Sequence, residues 1–209
     1  MPDFSIEQRH HDLGNTFICG VDEAGRGPWA GPVVAAAAMP DPARMPATLI
    51  DAIDDSKKLS AAKRALLFAQ FDGCVRFGIG QADVTEIESV NILQATLLAM
   101  KRAVDNLACP IDLALIDGNH APDLGDVKTT CLIKGDGRSL SIAAASIAAK
   151  VTRDKIMADL AKHYPGYGWE RNAGYGTQEH KRALARLGVT PVHRKNFAPI
   201  RNILRSNTP

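Results

Sequence analysis

The sequence predicts an α/β domain with a mixed central sheet, helices on its faces and a small helical C-terminal part. Short apolar runs of strand length come first and then alternate with longer segments whose apolar residues recur at helical spacing. No internal repeat or low-complexity linker divides the 209 residues. We therefore expect one domain over residues 1–209, with residues 171–209 forming its basic helical end.

The first half of the chain supplies three strands and one helix. The expected strands are residues 17–21, 32–39 and 74–81. A proline-rich loop over residues 40–48 follows the second strand. Ser60 is a candidate cap for a helix that ends at about Phe71. The positions of this helix that we expect to face inward are Ala65, Leu66 and Phe68.

The second half alternates helices with strands. Residues 89–107 have helical spacing, residues 111–116 form a strand that ends at Asp117, and residues 127–133 are another candidate strand. A long alanine-rich helix is expected over residues 141–163 and stops at the Tyr-Pro-Gly-Tyr-Gly segment. The remaining expected elements are a helix capped by Thr177 that runs to Leu187, and a last short turn of helix after Pro199.

Composition excludes several classes of protein. No run approaches the ~20 apolar residues of a membrane span, and the N-terminus lacks the layout of a secretion signal. The four cysteines are far apart in apolar surroundings, which favours neither a zinc site nor a disulfide framework. Buried, reduced cysteines are the simplest account. We expect a cytoplasmic monomer without membrane association.

Charge is distributed unevenly along the chain. Residues 171–209 contain eight Lys or Arg and one acid, whereas the other 170 residues contain 17 bases and 22 acids. A basic end on an acidic body is typical of a protein that holds a polyanion beside a carboxylate-rich centre. A helical surface that is basic by chance is the alternative.

Four carboxylates are the candidate catalytic groups. Asp22, Glu23 and Asp117 each follow an apolar strand, so they would meet at one edge of the sheet if those strands are neighbours. Asp136 lies just before the long helix. Such a cluster is costly without a cation, and its hard oxygen ligands favour Mg²⁺ or Mn²⁺. Two such ions could activate water and stabilise the leaving oxygen of a phosphodiester.

Other interpretations of these motifs remain. The acid pair could be a solvated turn. Residues 25–30 formally match the dinucleotide fingerprint Gly-x-Gly-x-x-Ala, but Pro28 and Pro32 disfavour a helix there, and the acid pair would repel a pyrophosphate. No Walker-type loop and no convincing Ser-His-Asp or Cys-His set is present in the sequence.

Several motifs in a fixed order resemble the type 2 ribonuclease H family, and within it the bacterial ribonuclease HII group. Each motif alone would be weak, whereas the ordered set spans nearly the whole chain. The matching segments are residues 22–28 (Asp-Glu-Ala-Gly-Arg-Gly-Pro), 55–59 (Asp-Ser-Lys-Lys-Leu), 117–118 (Asp-Gly), 134–136 (Lys-Gly-Asp), 143–154, 174–177 (Gly-Tyr-Gly-Thr) and 193–197 (His-Arg-Lys-Asn-Phe).

The resemblance implies an RNase H-like fold and metal-dependent cleavage of RNA in RNA/DNA hybrids. It also implies incision on the 5′ side of single ribonucleotides in duplex DNA, which leaves 3′-hydroxyl and 5′-phosphate ends. The implied roles would be removal of misincorporated ribonucleotides and of RNA primers. The metal-binding catalytic carboxylates implied by the resemblance are Asp22, Glu23, Asp117 and Asp136.

The resemblance also implies substrate contacts. Gly25, Arg26 and Gly27 would read the ribose 2′-hydroxyl, the group that distinguishes RNA from DNA at one nucleotide. Tyr175 would stack on the deoxyribose after the ribonucleotide, and Lys57 would contact a phosphate.

Each of these contacts has a plainer alternative. Tyr175 could pack a loop, with Tyr167 as the rival aromatic residue, and Lys58 could replace Lys57. Ser146 and Lys150 share a helix face with Asp154 and could contact the substrate or support the site. Lys150 and Asp154 could equally form only an ion pair.

Three other classes of protein are close to this interpretation. Ribonuclease HIII is expected to carry Gly-Lys-Gly in place of residues 25–27 and a further N-terminal domain, for which residues 1–21 leave no room. A hybrid-binding protein without catalysis would tolerate loss of an acid, and all four acids are present. A junction resolvase or integrase of the same fold would not need the Gly-Arg-Gly segment together with Tyr175.

Overall fold

A computed structural model describes residues 1–53 and 59–206 of the chain. Within them, five strands form a single mixed sheet, as the sequence predicts. The strands are β1 (Ile18–Ala24), β2 (Val33–Pro40), β3 (Val75–Ala82), β4 (Leu113–Asp117) and β5 (Lys128–Leu132).

Helices cover both faces of the sheet and form the C-terminal end. The described helices are α1 (Ser5–Asp12), α2 (Ala47–Ile50), α3 (Ala61–Gln70), α4 (Val84–Asp105), α5 (Leu140–His163), α6 (Trp169–Asn172), α7 (Gln178–Leu187) and α8 (Ala198–Ser206). Helices α1, α2 and α6 were not expected from the sequence. No helix in the described ranges is long and apolar enough to cross a membrane.

The strand order β3-β2-β1-β4-β5 places the two acid-bearing strands side by side. β1 pairs with β2, and β2 with β3, in antiparallel fashion. β1 pairs with β4 in parallel, and β4 with β5 likewise. Because parallel neighbours end at the same edge of a sheet, the carboxyl ends of β1 and β4 meet.

Alternation along β1 assigns its side chains to two layers. Cys19 and Val21 pack into the core beneath α4. Gly20 faces α5, where a β carbon would lie 2.2 Å from the Ile142 backbone nitrogen. The sheet and α5 therefore approach so closely that only glycine fits at this position. The alanines along α5 are buried in the same layer, which agrees with a packing role.

Two details correct the expectations. Ala65 and Leu66 are exposed, whereas Arg64 and Leu67 face inward. Arg64 is held there because its guanidinium donates to the Leu59 carbonyl and pairs with Asp154. Cys131 is exposed and Cys109 half-buried, so the expectation of four buried thiols holds only for Cys19 and Cys74. All four thiols are free.

Helix α4 starts five residues before its predicted beginning. Asp83 and Glu86 form a reciprocal capping box at its N-terminus, which the apolar spacing alone does not reveal. The helix is interrupted at Asn91, whose backbone φ is 70°. The Asn91 side chain accepts hydrogen bonds from the next turn and so restarts the helix.

Candidate active site

Three aspartates converge at the carboxyl ends of β1 and β4. The pairing of Val21 with Ile116 makes Asp22 and Asp117 neighbours one step further along the strands. Asp136 arrives from the short 3-10 turn at residues 135–137, just before α5. One carboxylate oxygen from each aspartate lies within 4.8 Å of the others. Asp22 and Asp117 therefore meet at one sheet edge as predicted, and the fourth candidate, Asp136, joins them.

Hydrogen bonds fix the carboxylates of Asp22 and Asp117 in place. Asp22 accepts the Glu23 backbone N–H at 2.7 Å, and the Ser146 side chain on α5 also hydrogen-bonds to it. Asp117 Oδ1 accepts the Gly135 N–H at 2.7 Å, which ties the end of β4 to the turn that carries Asp136. The geometry of the three aspartates therefore depends on the ends of two adjacent strands and on the turn before α5.

Burial makes this cluster costly without a cation. The pKa of Asp22 is raised well above its ordinary value, first by burial and then by the negative charges of Glu23 and Asp117. Burial also raises the pKa of Glu23. A divalent cation would relieve this repulsion, and carboxylate oxygens suit Mg²⁺ or Mn²⁺. The residues present therefore fit such an ion.

Glu23 occupies a different position from the three aspartates. Successive side chains of a strand point to opposite faces, so Glu23 projects away from the α5 side on which Asp22 lies. Its Oε1 is 3.5 Å from Nη1 of Arg26. The structure thus brings three of the four predicted carboxylates together and places the fourth beside them, next to the segment that the resemblance assigns to the ribose.

That segment, Gly25–Gly27, is here called the substrate loop, and two buried arginines hold it. Arg194 donates to the carbonyls of Gly25 at 2.6 Å and Arg26 at 2.8 Å. Arg153 packs under the loop, and a β carbon on Gly25 would lie 1.9 Å from its Nε. Gly25 also has a φ of 98°. The loop backbone is therefore held in place, and position 25 requires glycine.

Tyr175 stands beside the substrate loop. A β carbon on Gly27 would lie 3.6 Å from its Cε1, and nearly half of the tyrosine is exposed. Trp29 links the two segments because its backbone N–H donates to the Gly174 carbonyl at 2.8 Å. The Trp29 carbonyl accepts the backbone N–H of Arg194 at 2.8 Å.

The other predicted contact residues occupy three different settings. Ser146 is buried against Asp22, so it supports a carboxylate and does not face the surface. Lys150 is partly exposed and pairs with Asp154 at 2.6 Å, which is the plainer of its two interpretations. Lys57 and the residues 55–58 of its motif lie outside the described residues.

Sequence reasoning gave the buried arginines no structural role. Arg194 was counted among the charges of the basic end, yet it is fully buried and its guanidinium donates to backbone carbonyls of residues 25, 26, 31 and 32. These partners lie more than 160 residues earlier in the chain. The only available signal was its place in the His-Arg-Lys-Asn-Phe motif at residues 193–197.

Comparison with known proteins identifies close sequence relatives. A family model described as Ribonuclease HII matches residues 19–200. A ribonuclease HII of Paramagnetospirillum magneticum is 55% identical over 200 residues, covering 96% of this chain and 97% of that protein. One from Rhodospirillum rubrum is 57% identical over 206 residues, covering 98% and 92%.

The fold also resembles that of a solved ribonuclease structure. Ribonuclease H2 from Pyrococcus horikoshii superimposes with a TM-score of 0.74 at 25% sequence identity. The match covers 90% of this chain and 97% of that one. The mixed five-stranded sheet with flanking helices is therefore the RNase H-like arrangement.

Proposed function

The chain belongs to the ribonuclease HII family of metal-dependent endoribonucleases, which act on RNA/DNA hybrids, and we propose that it also incises duplex DNA 5′ of a single ribonucleotide. The products would carry 3′-hydroxyl and 5′-phosphate ends. One observation carries this proposal: the three-aspartate cluster lies directly next to the glycine-rich substrate loop.

Asp22, Asp117 and Asp136 would hold the divalent cation, with Glu23 as a further ligand on the loop side. Two ions at these carboxylates would supply Lewis-acid activation of the attacking water and of the leaving oxygen. The protein's own contribution is positional. The Gly135 N–H and the Ser146 side chain hold their carboxylates while the phosphodiester is bound.

The substrate loop would read the ribose. Because Arg194 engages the Gly25 and Arg26 carbonyls from below, the loop backbone is fixed before substrate arrives. A rigid backbone can form one hydrogen bond with a 2′-hydroxyl, as donor or as acceptor, at low entropic cost. A deoxyribose offers no such partner, which supports discrimination of RNA from DNA at one nucleotide.

Tyr175 would recognise the nucleotide that follows. Its exposed ring stands next to Gly27, so a ribose bound at the loop places the next sugar near the tyrosine. A flat ring packs well against a deoxyribose. A 2′-hydroxyl there would be desolvated without a partner. We infer that Tyr175 favours an RNA–DNA junction.

The other expectations stay predictions. Phosphate contact by Lys57 and the roles in ribonucleotide and primer removal rest on the family resemblance, whereas the cytoplasmic location and the monomeric state are expectations from composition. The choice between Mg²⁺ and Mn²⁺ rests on the oxygen donor set alone.

A mapped cleavage assay tests the proposal. End-labelled duplexes would contain one ribonucleotide, none, or a continuous RNA strand, each with Mg²⁺ or with chelator. We expect a Mg²⁺-dependent nick 5′ of the single ribonucleotide, cleavage of the hybrid and no cleavage of the all-DNA twin. Cleavage of the hybrid alone would reject the single-ribonucleotide activity. Cleavage of the all-DNA duplex would reject reading of the 2′-hydroxyl.

A further inference from the structure

Two fully buried histidines lie behind Tyr175. His180 on α7 and His193 in the loop before α8 are both inaccessible to solvent, and their Nε2 atoms are 3.0 Å apart. They are enclosed by aromatic side chains, with Trp169 and Tyr167 in edge contact with both rings. A pair of histidines buried in apolar surroundings is stable only when both rings are neutral. Each ring then carries a single proton on one of its two nitrogens.

The hydrogen-bond partners of His193 fix its proton. The Thr190 backbone N–H donates to His193 Nδ1 at 2.9 Å, and the Thr190 hydroxyl, which can rotate to donate or accept, lies 2.8 Å from the same nitrogen. A backbone amide can only donate, so Nδ1 is the acceptor nitrogen and the proton of neutral His193 resides on Nε2. His193 Nε2–H therefore donates to His180 Nε2.

The same argument fixes the proton of His180. Trp169 Nε1–H, another obligate donor, points at His180 Nε2 from 3.2 Å. His180 Nε2 is thus the acceptor for both neighbours, and the proton of the ring resides on Nδ1. His180 Nδ1 is 3.0 Å from the Tyr175 carbonyl oxygen and donates to it.

The result is a one-directional chain of hydrogen bonds from Thr190 through His193 and His180 to Tyr175. It ends on the backbone of the exposed tyrosine beside the substrate loop. The residue after His193 is Arg194, whose guanidinium donates hydrogen bonds to the carbonyls of that loop. Adjacent residues of one segment therefore fix both the substrate loop and the tyrosine.

We propose that His180 is a positioning residue that orients Tyr175 and so sets the preference of the enzyme for an RNA–DNA junction, with His193 fixing the ring proton that His180 donates. The inference rests on the proposed role of Tyr175 and adds the groups that act through it. Neither histidine touches substrate.

Two substitutions of His180 separate its two contacts. The amide of Asn reaches the position of imidazole Nδ1, so His180→Asn keeps a donor for the Tyr175 carbonyl and removes the acceptor for both His193 and Trp169. The amide of Gln reaches the position of Nε2, so His180→Gln keeps that acceptor and removes the ring donor to the Tyr175 carbonyl, leaving the Thr177 N–H on that carbonyl. His180→Gln removes one buried hydrogen bond and His180→Asn removes two, so His180→Asn is expected to lower the melting temperature at least as far as His180→Gln.

The readout is the junction preference, defined as kcat/KM on a one-ribonucleotide duplex divided by kcat/KM on a continuous RNA/DNA hybrid. We expect His180→Gln to lower this ratio by about tenfold to 100-fold, as for a misplaced positioning group. His180→Asn should stay within about threefold of wild type, a small free-energy difference. Melting temperatures of both variants and the activity on the hybrid control for misfolding.

Tyr175→Ala is the reference that separates the two levels of the proposal. If Tyr175→Ala lowers the ratio and His180→Gln does not, the histidine pair is only a packing element and the inference is overturned. If both His180 variants lower the ratio equally, general destabilisation is the cause and the inference is again overturned. If Tyr175→Ala leaves the ratio unchanged, the role of Tyr175 fails and the inference fails with it.

Discussion

Individual side chains in this site are constrained by contacts from distant parts of the chain. Gly25 shows this most directly, because its φ of 98° and the 1.9 Å approach of Arg153 Nε both exclude a β carbon. The backbone of the substrate loop is thereby pressed against a guanidinium that itself hydrogen-bonds to the Ala30 and Pro32 carbonyls.

Gly25→Ala should therefore cost more than its backbone strain. Gly14 is a matched control, since its φ is 91° and nothing lies within 4 Å of its β-carbon position. We expect Gly14→Ala to lower the free energy of unfolding by about 1 kcal/mol and Gly25→Ala by about 3 kcal/mol or more. Only the latter should abolish cleavage. Equal unfolding midpoints in urea for the two variants would show that Arg153 moves aside without loss of stability.

The buried histidines predict a defined response to acid. Burial lowers the pKa of His193 to about 4, and the neighbouring His180 acts in the same direction. In the unfolded chain a histidine titrates near 6.5. Between about pH 6.5 and 4 the unfolded chain binds a proton that the folded protein excludes, so the free energy of unfolding falls as pH falls.

The expected decrease over this window is on the order of 3 kcal/mol, since one pKa unit corresponds to about 1.4 kcal/mol. Urea unfolding between pH 7 and 4 measures it, and His193→Gln should lack this part of the pH dependence. Imidazole NMR of the folded protein should show neutral His193 with its proton on Nε2 at about pH 5.5, between the folded and unfolded pKa values. A protonated His193 at that pH would contradict both the shift and the proton assignment.

Helix α5 organises the site at the scale of secondary structure. It begins just after Asp136 and supplies Ser146 to Asp22. Ser139 caps its N-terminus, and Oε1 of Glu7 on α1 accepts from Ser139 Oγ at 2.6 Å and from the Ser141 N–H at 2.9 Å. A carboxylate at a helix N-terminus also interacts favourably with the helix dipole. Helix α1 therefore stabilises the start of the helix that follows Asp136 and supports Asp22.

Glu7→Ala should lower the free energy of unfolding by about 1 to 3 kcal/mol, because it leaves buried donors at the start of α5 without their acceptor. Gln8→Ala is the control on the same helix, since Gln8 is exposed and its side chain donates to Asp12 on the same helix. It should change stability by less than about 0.5 kcal/mol. Chemical denaturation compares them, and coincident curves would remove Glu7 from this role.

Predictability from sequence differed between elements for physical reasons. The convergence of Asp22 and Asp117 followed from two short apolar runs that end in acids, which is a local pattern. Helix α1 was missed because its sequence is mostly polar and Ile6 is its only buried apolar residue. The contacts of Arg194 and the histidine pair join segments far apart in the chain, so no local pattern indicated them.

At the scale of the whole molecule, charge separates into an acidic centre and a basic C-terminal end. The burial of Arg194 removes one cation from the surface that the sequence suggested. Arg201 and Arg205 on α8 are exposed and remain available to phosphates. We therefore expect the helical end to hold duplex backbone without reading its sequence.

The double variant Arg201→Ala, Arg205→Ala should weaken duplex binding about equally with and without a ribonucleotide. The slope of log Kd against log salt concentration should fall by about 2, close to one unit for each phosphate that an arginine no longer neutralises. Arg9→Ala on α1 removes an exposed arginine outside the basic end and should leave the slope unchanged. Unaltered slopes for the double variant in fluorescence-anisotropy titrations would assign phosphate binding to another surface.

The most direct test of the metal centre measures ion binding and cleavage on the same preparations. Mn²⁺ binding by calorimetry would be compared with Mn²⁺-dependent cleavage of a one-ribonucleotide duplex for wild type, Asp117→Asn and the exposed control Asp126→Asn. We expect Asp117→Asn to weaken Mn²⁺ binding and to reduce cleavage by at least about 1,000-fold, since it removes a ligand of the catalytic ion. Duplex binding should be retained, and Asp126→Asn should match wild type. An Asp117→Asn protein that binds Mn²⁺ and cleaves like wild type would contradict the assignment of the active site.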